Sequence, residues 1–91
     1  MPERLNANTA TAIGGVFNPA GDFSIQADIP PGSSAVVNIE GQADNAAPWV
    51  SLGGISASTI PPMRRFAKCP NVRLTLSGNN DAKVIKAWSG E

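Results

Sequence analysis

The sequence contains no histidine and no tyrosine, and it has one cysteine, Cys69. Without histidine there is no Ser-His-Asp or Cys-His arrangement for nucleophilic catalysis. One cysteine rules out a disulfide within the chain, and with no histidine beside it there is no zinc-cluster pattern. No cofactor is expected. The missing tyrosine counts against a carbohydrate-binding face, which usually displays several aromatics. Three Phe and two Trp are all the aromatic residues present.

Charge is also scarce. Seven Lys and Arg balance seven Asp and Glu, and charged residues make up 15% of the chain, against about 25% in ordinary globular domains. A nucleic-acid binder needs basic patches that release counterions, so this balance argues against one. No apolar run approaches the ~18 residues of a membrane-crossing helix, so no membrane partner is expected. The N-terminus Met-Pro-Glu-Arg-Leu-Asn lacks the charged and apolar blocks of a secretory signal. The chain is therefore expected to be made in a cytoplasm, where a lone thiol is stable.

What is present is β-pattern. At 91 residues the sequence is expected to form one domain. So short a chain buries only about 60–65% of its unfolded surface. With disulfide and zinc removed, a partner chain is the remaining support. Phe23, Ile25, Ala27 and Ile29 alternate with polar residues until Pro30-Pro31 stops the pattern. Val37 and Ile39 continue it over 34–42. Trp49, Val50, Leu52 and Ile55 restart it over 48–58, where Gly53-Gly54 marks a bulge or bend. Val72, Leu74 and Leu76 alternate cleanly over 72–77. The turn-forming run Ser77-Gly78-Asn79-Asn80-Asp81 then leads to Val84–Trp88, which reads as an antiparallel hairpin. Residues 9–17 are a weaker first strand, and 63–68 are either one helical turn or an edge strand. Residues 1–8 read as a flexible or subunit-crossing arm. Regular spacing of short strands predicts an all-β fold, a small antiparallel β-sandwich or jelly-roll-like barrel of five to eight strands. The expected core is Phe23, Ile25, Val37, Ile39, Val50, Leu52, Val72, Leu74, Leu76 and Val84, with Ile85 or Trp88.

No set of residues carries catalytic or metal chemistry. Asp22, Asp28, Glu40, Asp44 and Asp81 are scattered in or beside turns, where such side chains usually serve the backbone. Asp44-Asn45 and Asn79-Asn80-Asp81 lack the spacing of a calcium loop. Lys68, Lys83 and Lys86 read as solvated. Cys69 has Lys68 beside it, which would favour the thiolate; the other reading is a buried, inert small side chain. Trp49 and Trp88 are each read as core or as interface anchors. Met63, Arg64, Arg65 and Phe66 form the one compact basic patch. They combine interface-enriched residue types, which makes this the first choice for docking.

One resemblance extends from about Phe23 to Trp88. It lies in Ile39-Glu40-Gly41, the Trp49–Leu52 strand, the Pro-Asn-Val-Arg-Leu-Thr-Leu-Ser-Gly run of Pro70–Gly78, and a last strand ending at Trp88. In these the chain resembles the small β-sandwich structural proteins of tailed bacteriophages, the capsid decoration or cement proteins. The resemblance implies a non-enzymatic virion component, made in the host cytoplasm and carried on the particle. It also implies self-association, with a homotrimer favoured, and attachment to the major capsid protein or another virion protein. There are no catalytic residues to transfer. Residues 1–17 lie outside it. The alternative is a receptor- or carbohydrate-binding head or spike module on a phage tail or capsid.

Overall fold

The computed structural model describes residues 2–91. Eight strands appear among them: β1 Glu3–Ala7, β2 Ala12–Ile13, β3 Phe23–Asp28, β4 Val36–Gln42, β5 Val50–Ser56, β6 Met63–Phe66, β7 Asn71–Ser77 and β8 Ile85–Gly90. They make two four-stranded antiparallel sheets, a small β-sandwich. The first has the order β1-β8-β3-β6 and the second β2-β7-β4-β5. Only β4 and β5 are neighbours both in sequence and in a sheet.

Period-two alternation decides which side chains enter the core. In β3, Phe23, Ile25 and Ala27 are buried while Ser24 and Gln26 are half-buried and Asp28 is exposed. Ile85 and Ala87 of β8 lie beside them on the same sheet, and Val37 and Ile39 of β4 with Val72, Leu74 and Leu76 of β7 face them from the other. Each large aliphatic or aromatic side chain so buried contributes roughly 1.5–3 kcal/mol. Phe23 anchors one side of the core. Phe17 meets it edge-on at 6.2 Å, and Phe66 stacks on it at 5.4 Å.

The expected hairpin at the C-terminus does not form. β7 pairs with β2 and β4 in the second sheet, and β8 pairs with β1 and β3 in the first. Residues 78–84 therefore arch across the sandwich. Asn79 is the inner bracket of this arch and is 1% exposed. Its side-chain amide donates to the carbonyls of Thr9 (3.0 Å) and Lys83 (2.8 Å). Gly78 enters the arch at φ 69°, and a Cβ there would come within 2.6 Å of the Ser34 carbonyl oxygen.

Other corrections follow from sheet position. Residues 3–7 are no loose arm. They pair with β8 as an edge strand, and Leu5 is buried. Val50, Leu52 and Val84 lie outside the core, at 54%, 36% and 53% exposure. The first two lie on β5, an edge strand with no neighbour beyond it to cover them. Ile39 pairs with Gly53 but Glu40 with Ser51, leaving Leu52 as the extra residue of an edge strand. Ile55 fills the core in their place. Val84 precedes β8, whose inward residues are Ile85, Ala87 and Ser89; Trp88 faces outward. Of residues 9–17 only Ala12–Ile13 form a strand, with Phe17 bridging to Val72. Gly14 between them packs against the Arg4 carbonyl with no room for a Cβ. Residues 63–66 take the edge-strand alternative.

The registers place the connections at two ends. The upper end holds the β1–β2, β3–β4 and β5–β6 loops and the β7–β8 arch. The lower end holds the β2–β3, β4–β5 and β6–β7 loops, the start of β1 and the end of β8.

Candidate functional site

The six residues expected at an interface divide among three surfaces. The register of β6 on β3 pairs Phe66 with Phe23, Arg65 with Ser24, Arg64 with Ile25, and Met63 with Gln26. Phe66 and Arg64 thus lie on the core side of the first sheet. Phe66 is packing for Phe23. Arg64 reaches across to the second sheet, where its guanidinium donates to the Gly54 carbonyl at 3.3 Å. That carbonyl belongs to β5, an edge strand, so Arg64 caps part of an unpaired edge. Beneath it Gly53 leaves space that a Cβ would crowd, 3.3 Å from the Phe66 ring.

Met63 and Arg65 point outward from the first sheet. Trp88 shares that face, because Gln26 lies opposite Trp88 on one side and Met63 on the other. Met63 is 44% exposed, and Arg65 makes only a loose 3.7 Å pair with Asp22. Such exposed pairs contribute about 0–1 kcal/mol. Trp49 is on the opposite side of the molecule. Arg73 lies over its ring at 4.3 Å and pairs with Glu40 at 2.8 Å on the outer face of the second sheet. Both tryptophans are half-buried. Met63, Arg65 and Trp88 are therefore brought together; Trp49 is not.

Three of the five acidic candidates are engaged, Glu40 with Arg73 and the other two with backbone N–H groups. Asp44 accepts from the Ala46 N–H at 2.9 Å, and Asp22 from the Lys68 N–H at 3.0 Å. Among the described residues no three His, Cys, Asp or Glu side chains gather as a metal-holding group. Half-buried Cys69 has the carbonyl oxygens of Gln42 and Asn71 near its sulfur, at 3.6 and 3.5 Å. Around it the lower end is closed by amides. Asn71 donates to Gln42 and Asn45, Asn18 donates to Asn71 and to the Pro70 carbonyl, and Gln42 donates to the Ala47 carbonyl. Arg4 completes this end beneath the first sheet. It donates to buried Ser89 (2.9 Å) and to Glu91 (2.7 Å), and lies 4.2 Å above the Phe17 ring. The Arg4 hydrogen bond holds the Glu91 carboxyl below its ordinary value.

The upper end carries a feature that sequence reasoning missed. A concave hollow of about 390 Å³ opens there, lined by residues 32–35 and 56–58. Beside it stands Ile60, 89% exposed and followed by Pro61-Pro62. The hollow's hydroxyls are engaged within the chain. Ser33 accepts from the Ala35 N–H, Ser34 donates to the Gly78 carbonyl, and the Ser56 and Ser58 hydroxyls lie 2.9 Å apart. One sequence signal pointed here: residues 45–63 contain no charged side chain.

No protein family, curated protein or solved structure matches the chain.

Proposed function

We propose that this chain is a non-enzymatic structural protein of a tailed-phage virion, a capsid decoration or cement protein that self-associates and binds the major capsid shell. The observation that supports this reading is where the apolar surface lies. Of the seven large apolar side chains exposed among the described residues, four (Val50, Leu52, Ile60 and Met63) fall within the uncharged stretch 45–63. That stretch runs up β5, through the Ile60 loop and into β6. The sandwich would act mechanically. Burying such a surface across joints between shell subunits contributes roughly 25 cal/mol per Å² of apolar area before ordering costs. Linked copies would hold on more tightly than one. The test is co-sedimentation of the purified chain with tailed-phage capsids. Saturable pelleting at a fixed stoichiometry, with a raised capsid melting temperature, is expected. No pelleting at any concentration overturns the reading.

Trp49 favours a second reading, a carbohydrate- or receptor-binding head. Arg73 lies over its indole and pairs with Glu40. A polar surround with one aromatic plate suits a sugar. Tryptophan fluorescence that changes on titration with a glycan panel, and does not in Trp49→Phe, would favour this reading. No change across the panel removes it.

A further inference from the structure

We propose that the outer face of the first sheet is a self-association surface, on which a second copy of this chain packs face to face about a two-fold axis running between β8 and β3. This rests on the self-association in the reading above and gives it a location, with β5 and the Ile60 loop left free for the shell.

The charges of this face are complementary to themselves. The registers place Lys86 opposite Asp28. Two residues along, Trp88 lies opposite Gln26, with Glu3 on the β1 edge and Met63 on the β6 edge. Arg65 stands one row further on, about 7 Å away along the strand. β8 and β3 are the two central strands of the order β1-β8-β3-β6. An axis between them therefore exchanges β8 with β3 and β1 with β6. Lys86 of each copy then meets Asp28 of the other, and Trp88 meets Gln26. The edge bearing Glu3 meets the edge bearing Met63 and Arg65. Each charge of the face thus comes opposite, or within one row of, a charge of the other sign. A lysine and an aspartate side chain together span the ~10 Å between packed sheets.

These charges are not consumed within the chain. Both sheets carry an acid opposite a base on their outer face. On the second sheet the pair closes, with Glu40 opposite Arg73 at 2.8 Å. On the first, Asp28 and Lys86 have no ion-pair partner among the described residues. Arg65 makes only the 3.7 Å pair with Asp22, and Glu3 accepts only from the Asn6 amide at 3.2 Å. A partner surface of a single sign would be repelled by two of the four charges. A second copy, turned about the axis, is repelled by none, which is what an isologous contact requires. Trp88 and Met63 add side chains of the types enriched in interfaces, and Met63 is 44% exposed.

The test is light scattering and sedimentation of the full chain from about 1 µM to about 1 mM, at low and at high salt. The wild type is expected to pass from monomer to dimer, less readily in high salt. Lys86→Glu makes the central charges all negative, and Asp28→Lys makes them all positive. Each is expected to weaken self-association at least about tenfold. An equimolar mixture of the two is expected to pair again, since an all-negative centre then meets an all-positive one. Damage to the fold alone would not be rescued by mixing. In Trp49→Phe, which leaves Trp88 as the one tryptophan, emission is expected to shift to the blue as the dimer forms. A monomer at all concentrations, a trimer, or single variants that associate like the wild type each overturn the inference. So does a mixture without recovery, or Trp88 emission that ignores concentration. Capsid co-sedimentation is read separately. If the chain pellets with capsids while Lys86→Glu still pairs with itself, the face is wrong and the particle role stands. If it pairs through this face but never pellets, the reverse holds.

Discussion

The two ends of the sandwich treat polar groups differently. At the lower end, side chains from distant loops close on one another: Asn18, Gln42, Asn45 and Asn71 under the second sheet, Arg4, Ser89 and Glu91 under the first. At the upper end the ties are fewer: Asn79 holds the arch, and Ser34 joins the 29–35 loop to it at Gly78. The 29–35 and 57–62 loops beside it frame a hollow and expose Ile60. A small β-domain with no disulfide must tie its loops somewhere. Here the ties gather at one end, and the other keeps an apolar tip and a recess open to solvent.

Four perturbations test that contrast. Asn79→Ala should cost the most, about 2–3 kcal/mol, because it breaks two hydrogen bonds inside the arch and leaves a void. Urea denaturation measures it, and a loss under ~0.5 kcal/mol would show that the arch needs no bracket. Asn71→Ala should cost about 1–2 kcal/mol by the same assay, since it disconnects the amides under the second sheet. Glu91 gives a smaller, pH-dependent effect. Its folded pKa is lowered from an ordinary value of 4.5. Its contribution is thus present above that value and is lost as pH falls through the folded pKa. Because the pair is partly open to water, it should amount to less than about 1 kcal/mol. Glu91→Gln should flatten the difference between pH 7 and pH 3; an unchanged acid limb would remove Glu91 from the account. Least of all, Ile60→Asp should leave the unfolding midpoint within about 0.5 kcal/mol of wild type. A larger loss would mean that the tip holds the fold.

The parts of the fold legible in the sequence were those where alternation runs unbroken between turn residues. β3 lies between Asp22 and Pro30, and β7 between Pro70 and Gly78. Their inward residues Phe23, Ile25, Leu74 and Leu76 are the predicted ones. β1 was hidden because an edge strand contributes one core residue, Leu5, in a polar run. Val50 and Leu52 stay exposed because β5 is an edge strand with a bulge at Leu52, and no composition rule reports that. A Gly/Asn loop says that the chain turns, but not whether the next strand pairs with the last or crosses to the other sheet. The site was less legible for a related reason. Parity along a strand separates inner from outer, yet Trp49 and Trp88 are both outward on different sheets. The hollow joins 32–35 to 56–58, and each stretch alone is an ordinary serine-rich loop.

The crossing connections have a kinetic consequence. Since β4 and β5 alone are joined as a hairpin, every other strand pairing must wait for segments far apart in sequence to meet. Neither sheet can assemble from one contiguous piece of chain: the first needs residues 3–7 beside 85–90 before its centre is complete. Such topology folds in milliseconds to seconds, about as slowly as small domains do. The β4–β5 hairpin is the one local nucleus available, and the C-terminal strand closes the first sheet last in synthesis. Truncation before Ile85 would take away the strand on which both β1 and β3 are laid.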